Sequence, residues 1–295
     1  MKKVIFVGGT SYSGSTLLDM ILANEDKGYS LGEIVALFRP TMQHHLKKIK
    51  TLKENPNWEQ IIEKGENSFY SNLFDTFPDI DYFVDSSKNP FWIAKQMKLL
   101  QKDRIPYQNV LIYKSGPELA LSYDKRNKLE GMGYFVRVYY KLYFYFINNF
   151  KSISYYQLIK NDQSLKNLCE YLNIEYFDGK KKYWEKKHKT VFGNLRALAH
   201  TDNLRPENYK GIQKLTKEGR KKLYYITPEN DNIIKEGERI EKKYRKIFDI
   251  IKNNNIDNKT SNNYDINTSQ IWIVKIFLKY FIKNRVNHFL VKLKN

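Results

Sequence analysis

Residues 7–18, VGGTSYSGSTLL, are the first in the chain able to do chemistry. Gly9 and Gly14 have the spacing of the phosphate-binding pattern G-x-x-x-x-G-K-[ST], and Thr16 stands where that pattern ends. Ser15 takes the place of the lysine that reaches the terminal phosphates of a nucleoside triphosphate. The small residues Gly9, Ser11, Ser13, Gly14 and Ser15 let backbone amides approach an oxygen-rich group, and Ser13, Ser15 and Thr16 add hydroxyl donors. A helix beginning here would add free N–H groups and the positive end of its dipole. The loop therefore suits an anion, and a triphosphate with Mg²⁺ less well. A plain glycine turn between strand and helix would use the same residues.

Two more residues stand out for their type and place. Glu33, in YSLGEIVAL, falls in a turn after the first helix. It is either a carboxylate available for proton transfer or one that favours the start of a helix through the dipole. Lys88, in VDSSKNP, follows the end of a strand, the crevice in which open α/β sheets bind ligands. The competing reading is an exposed loop lysine, with Asp85 and Ser86 shaping the turn.

The elements that must position these residues alternate. KVIFV reads as a buried strand, and STLLDMILA as a helix with Leu17, Leu18, Ile21 and Leu22 at helical spacing. YFVD (82–85) and VLIY (110–113) read as further strands. Pro117 suits the first turn of the helix that follows. Strands alternating with helices predict an α/β fold with a mostly parallel central sheet flanked by helices. Residues 131–150 are aromatic and helical, and ISYYQLIKNDQSLKNLCEYLNI reads as a short strand and a helix. Residues 180–230 are polar, basic and weakly periodic, as in long loops. The chain divides into a catalytic domain over 1–250, an Asn/Lys-rich linker over 251–268, and a basic amphipathic helix over 269–295. In that last segment Lys275, Lys279 and Lys283 form one stripe, which suits docking on a membrane surface or packing on protein.

Lys and Arg outnumber Asp and Glu by 51 to 32, a net charge of +19. That excess favours an anionic partner, although a genome rich in Lys, Asn, Ile and Tyr codons would produce it too. No stretch reaches the roughly 18 uncharged apolar residues of a membrane span. The apolar run at the start is too short for a signal peptide. Cys169 is the only cysteine, so no intrachain disulfide forms, which fits a reducing compartment. Cytoplasmic placement is expected, with 269–295 able to touch the inner membrane face. No His/Cys cluster suggests a metal site, and the expectation for His44, His45, His188 and His200 is solvated positions.

Four motifs, in order, resemble the sulfotransferases that use 3′-phosphoadenosine 5′-phosphosulfate (PAPS). Tyr12-Ser13-Gly14-Ser15-Thr16 resembles the family's [RK]-S-G-[ST]-T loop, which holds the 5′-phosphosulfate. Lys114 and Ser122, in LIYKSGPELALSY, match the spacing of the Arg and Ser on the donor's 3′-phosphate. Residues 153–177 are similar to the stretch beginning Y-E-D-L, with Tyr156-Gln157-Leu158 at its start. Asn194 and Arg196, in FGNLR, resemble a donor-binding G-N-x-x-R loop. The resemblance spans residues 3 to about 230 and implies the sulfotransferase fold, PAPS as donor, PAP as product and no metal.

It also implies roles. In tyrosylprotein sulfotransferases and similar members, a glutamate at the place of Glu33 is the general base. There a lysine matching Lys88 contacts the transferring sulfuryl group. Ser11, Tyr12, Ser13, Gly14, Ser15, Thr16, Lys114, Ser122, Asn194 and Arg196 are then the donor-binding set. The acceptor is expected to be a hydroxyl of a glycan or small molecule. Two positions depart from the pattern. Tyr12 stands where the family has Arg or Lys, and Lys114 where it has Arg. Lys88 is the candidate to make up the first loss, and Arg126 or Arg196 the second. The alternatives are a P-loop kinase or ATPase, a PAP-binding protein without activity, and a non-enzymatic basic protein on nucleic acid or lipid. No nucleic-acid-binding motif supports the last.

Overall fold

The computed structural model describes residues 2–198, 200–201, 223–258, 271–276 and 278, the side chains of Leu195 and Arg196 excepted. Five strands form one parallel sheet: β1 (Lys3–Gly8), β2 (Gly28–Gly32), β3 (Tyr82–Asp85), β4 (Tyr107–Tyr113) and β5 (Lys151–Ser154), in the order β2-β3-β1-β4-β5. The helices are α1 (Ser15–Leu22), α2 (Val35–Phe38), α3 (Gln43–Lys53), α4 (Pro56–Lys64), α5 (Phe69–Thr76), α6 (Pro90–Lys102), α7 (Gly116–Asp124), α8 (Met132–Phe146), α9 (Tyr155–Lys160), α10 (Asp162–Leu172), α11 (Leu195–Leu198), α12 (Asp231–Lys243) and α13 (Arg245–Asn253).

Strand β1 is central and buried on both faces, as its continuous apolar run requires. Alternate side chains go to opposite sides of the sheet. Val4 and Phe6 join a core with α5, α6, α8 and α13, while Ile5 and Val7 join one with α1 and α10. From β1 the order runs to β3 on one side and β4 on the other, so the sheet changes winding direction at its centre. Open α/β sheets bind ligands outside the carboxyl ends of their strands at such a point. The loops after β1, β2, β3 and β4 carry Ser11 to Thr16, Glu33, Lys88 and Lys114, all at that edge.

Two expectations change. Glu33 follows not a helix but a strand, β2, whose composition (GYSLG) hides it. Residues 251–258, assigned by composition to the linker, complete the domain instead. Ile251 is buried, Asn254 O and Ile256 N bond to Ser152 of β5, and Asp257 accepts from Ser164 and Asn167. Residues 259–270 and most of the segment 269–295 lie outside the described residues. Among the described residues no helix is long and apolar enough to cross a membrane.

The loop at residues 190–194 closes over the end of β2. Gly32 makes a parallel bridge with Phe192, and Glu33 N donates to Phe192 O at 3.1 Å. Gly32 has φ +70°, and a Cβ there would lie 1.5 Å from the Phe192 carbonyl oxygen. Both the backbone angle and the space demand glycine. Gly32→Ala is expected to destabilise the fold by about 3 kcal/mol in urea unfolding. A loss under about 1 kcal/mol would mean that the loop gives way without resistance.

Candidate functional site

The first loop leaves β1 at Gly8 and enters α1 through Gly14, which sits at φ 105° with no side chain capping the helix. A Cβ at Gly14 would strike the Tyr155 ring at 2.6 Å, so the aromatic wall over the loop depends on this glycine. Gly9 N donates to the Tyr139 hydroxyl at 2.6 Å, which fixes the start of the loop from α8. Tyr12 lies within the turn at φ 70°, a conformation non-glycine residues adopt rarely and at a cost of about 1–3 kcal/mol.

Cations gather on Tyr12, the position where the resemblance calls for one. The Arg126 guanidinium lies 4.1 Å from the centroid of the Tyr12 ring. Lys128 Nζ donates to the Tyr12 hydroxyl at 3.1 Å, and the Tyr123 ring packs edge-on at 5.2 Å. Arg126 also donates to Ser122 O at 2.7 Å. Both cations come from the turn after α7, so Arg126, expected near Lys114, stands beside Tyr12, while Lys88, expected there, pairs with Glu33. A guanidinium stacked on an aromatic face keeps N–H donors for an anion.

Lys114 and Ser122 meet across the start of α7, with Lys114 Nζ donating to Ser122 Oγ at 2.9 Å and lying 4.4 Å from the Tyr155 ring centroid. On the other side Lys88 Nζ donates to Glu33 Oε1 at 2.5 Å, joining residues 55 apart in the chain. Lys88 also has positive φ, 61°. Strain of this kind persists only where surrounding contacts hold it, and the pair with Glu33 is one such contact.

Asp85 is fully buried at the end of β3 and accepts from Tyr70 OH at 2.6 Å, Trp92 Nε1 at 2.7 Å and Ser87 N at 2.7 Å. Ser87 Oγ accepts from Val35 N at 3.0 Å, and Ser86 N donates to Gly32 O at 2.9 Å. Asp19 of α1, also fully buried, accepts from Gly32 N at 3.0 Å. Each carboxylate thus holds the backbone amide one residue before a chemical residue, Gly32 before Glu33 and Ser87 before Lys88. Burial pushes the Asp19 carboxyl up to about 7. The nearby Asp85 adds to the rise, and the Ser30 and Ser86 hydroxyls and the Gly32 amide oppose it. Burial raises Asp85 as well, against its three donors.

These residues open onto one cavity of about 420 Å³. Ser11, Tyr12, Gly14, Ser15, Thr16, Glu33, Lys88, Lys114, Ser122 and Asn194 line it, with Lys125 and Arg126 beside them. Asn194 N donates to Thr16 Oγ1 at 3.2 Å, which places the late loop against the first one. Ser13 is buried behind the loop and does not line the cavity. Arg196 is on α11, but its side chain lies outside the described residues. Sequence reasoning did not find Asp19, Tyr139 or Lys128. The only signal for Asp19 was an acid inside an apolar helical run.

Of the histidines expected at solvated positions, His44 is exposed and the other three differ. His188 is buried, with Nε2 2.8 Å from Tyr183 O, and burial with the nearby Lys186 lowers it to about 4. His45 is half-buried against Phe192 and is lowered to about 4, mainly by burial. His200 lines the cavity beside Tyr183 and Trp184. Among the described residues no group of three or more His, Cys, Asp or Glu is placed to hold a metal ion.

No protein-family model matches the chain, and no curated protein sequence does. Solved structures share its fold. The sulfotransferase domain from the curacin biosynthetic pathway is 15% identical, with a TM-score of 0.50 over 83% of this chain and 98% of that one. The sulfotransferase domain from the Synechococcus PCC 7002 olefin synthase is 15% identical, with a TM-score of 0.51 over 81% and 95%. The α/β fold expected from the sequence, a parallel sheet flanked by helices, is thus the one found in these sulfotransferase domains.

The raised Asp19 makes stability depend on pH. In the folded chain this carboxyl keeps its proton up to about 7, whereas the unfolded chain releases it near 4, so folding weakens as pH rises through that window. Asp19→Asn keeps an acceptor for Gly32 N and cannot ionise. Relative to wild type, it should gain roughly 2–3 kcal/mol between pH 5 and pH 8. A difference in thermal midpoints that stays constant over this range would show that Asp19 titrates as an ordinary carboxyl.

Proposed function

We propose that the chain is a sulfotransferase that moves the sulfuryl group of PAPS to a hydroxyl of an acceptor, a glycan or a small molecule. The observation that carries this reading is the Lys88–Glu33 pair at 2.5 Å, facing a cavity ringed by Lys114, Lys125 and Arg126. A carboxylate and a fixed cation side by side supply the two needs of sulfuryl transfer, a proton acceptor and a counter-charge for the moving oxygens.

In this reading the loop that lines the cavity, with the hydroxyls of Ser11, Ser15 and Thr16, binds the donor's 5′-phosphosulfate. Arg126 and Lys128 restore, around Tyr12, the charge the loop lacks. Lys114 and Ser122 hold the 3′-phosphate, and Asn194 closes over the donor. Glu33 takes the acceptor's proton while the acceptor oxygen forms its bond to sulfur. The bond from sulfur to the 5′-phosphate oxygen breaks in line, and PAP leaves with the electron pair. Lys88 passes from the carboxylate it holds to the oxygens of the transferring group. Likeness of fold to the two sulfotransferase domains supports the same reading.

A triphosphate-hydrolysing enzyme is the other use of the glycine loop. It is disfavoured by Ser15 and by Asp85, the acid at the end of β3, whose carboxylate is buried among Tyr70, Trp92 and Ser87 rather than open to Mg²⁺.

Calorimetric titration separates the two. PAP is expected to bind in the presence of a chelator, ATP with Mg²⁺ is not, and Lys114→Ala with Ser122→Ala should weaken PAP at least about tenfold. Tight ATP–Mg²⁺ binding without PAP binding would reverse the assignment. In a transfer assay with labelled PAPS over mixed acceptors, Glu33→Gln should lower turnover by about 10²–10⁴-fold and leave PAP affinity unchanged. Near-normal turnover would remove Glu33 as the base.

A further inference from the structure

The outer face of α8 carries exposed rings and cations. Tyr134 and Tyr145 are 58% and 42% exposed, and Arg137 and Lys141 lie between them at helical spacing on the same side. The Lys141 ammonium sits 5.5 Å from the centroid of the Trp272 ring. Trp272 belongs to the helical turn at 271–276, where Ile273 is buried against the protein. That turn and Leu278 leave Ile271, Val274 and Leu278 exposed at 69%, 54% and 50%, spaced i, i+3, i+7 along one stripe. Lys275 is exposed among them.

The charged side chains of α8 and of the described residues 271–276 and 278 are Arg137, Lys141 and Lys275, all cationic, and the exposed Glu130 stands one turn before α8. Residues 132–146 contain no acid. Nor do the described residues 271–276 and 278, which carry Lys275. A partner must therefore be anionic and must also take apolar side chains. Nucleic acid meets the first demand and leaves Ile271, Val274 and Leu278 in water. A second copy of the chain would set like charges against each other in a molecule of net charge +19.

We propose that this face, α8 with residues 271–276 and Leu278, docks on an anionic lipid bilayer. Tyr134, Tyr145 and Trp272 sit at headgroup depth, where amphipathic rings are favoured. Ile271, Val274 and Leu278 enter the acyl boundary, and Lys141, Lys275 and Arg137 stay with the lipid phosphates. The face runs to the rim of the cavity. Phe135, 49% exposed, packs 6.4 Å from Tyr123, which packs on Tyr12.

The test is co-sedimentation of the full chain with phosphatidylcholine vesicles and with vesicles rich in phosphatidylglycerol, at ~0.1 M salt, where the Debye length is ~10 Å. Binding to the anionic vesicles alone is expected. Lys141→Glu with Lys275→Glu should weaken it at least about tenfold, from a gain of about 1 kcal/mol per basic residue near the surface. Ile271→Ser with Leu278→Ser should also weaken it while leaving the thermal midpoint unchanged. Absence of binding to anionic vesicles would overturn the proposal, as would binding indifferent to both variants. A dimer in size exclusion that the serine variant returns to monomer would assign the face to self-association instead. Binding of long duplex DNA, lost in the glutamate variant and kept in the serine variant, with no vesicle binding, would assign it to nucleic acid.

Discussion

Two carboxylates buried beneath the edge of the sheet hold the site together. A buried carboxylate is unfavourable unless donors surround it. Asp85 has three donors, and Asp19 receives the amide at the end of β2. Each takes one bond from the backbone of a turn, Ser87 N to Asp85 and Gly32 N to Asp19. They set where β2 and β3 end, and so where Glu33 and Lys88 begin. The 2.5 Å pair between those two is the visible result. Distortion of either turn would separate them, whatever became of the side chains themselves.

Charge in the cavity comes from several segments rather than from the glycine loop. The loop contributes amides, hydroxyls and the free start of α1. The cations arrive from the ends of β3, β4 and α7. Tyr12 shows how the division works. A phenol brings no charge, but its face holds Arg126 and its hydroxyl receives Lys128. A local motif with a residue of the wrong charge thus lies in a positive environment, because the electrostatics belong to the fold and not to the pentapeptide.

The central strands β1, β3 and β4 were legible because a parallel strand buried on both faces is a short apolar run between turns. Strand β2 was not, since GYSLG has two glycines and a serine, and its outer edge is covered only by the distant loop at 190–194. The site residues at strand ends were legible from motif spacing, since loops after parallel strands converge whatever the separation in sequence. The partners across space were not. Nothing in sequence placed Lys128 on Tyr12, Tyr139 under Gly9, or Asp19 under Gly32. His188 looked like a solvated position because its neighbours are lysines, yet it packs into the domain against Tyr183. Residues 251–258 looked like linker because asparagine is common in linkers, yet their asparagines bond to β5, Tyr113 and Gln157.

The late loop has a consequence for how the molecule comes into being. Thr190 Oγ1 reaches Ser30 across 160 residues, and the Asn194 amide reaches Thr16 across 178. A chain made from its N-terminus has all five strands of the sheet long before these closures become possible. Contacts between residues so far apart in sequence must first overcome the entropy of closing a long loop. The edge of β2 and this wall of the cavity can close only once the segment that seals them has been made. A ribosome-bound chain stopped before residue 190 would contain Glu33, Lys88 and Lys114 and still lack that wall.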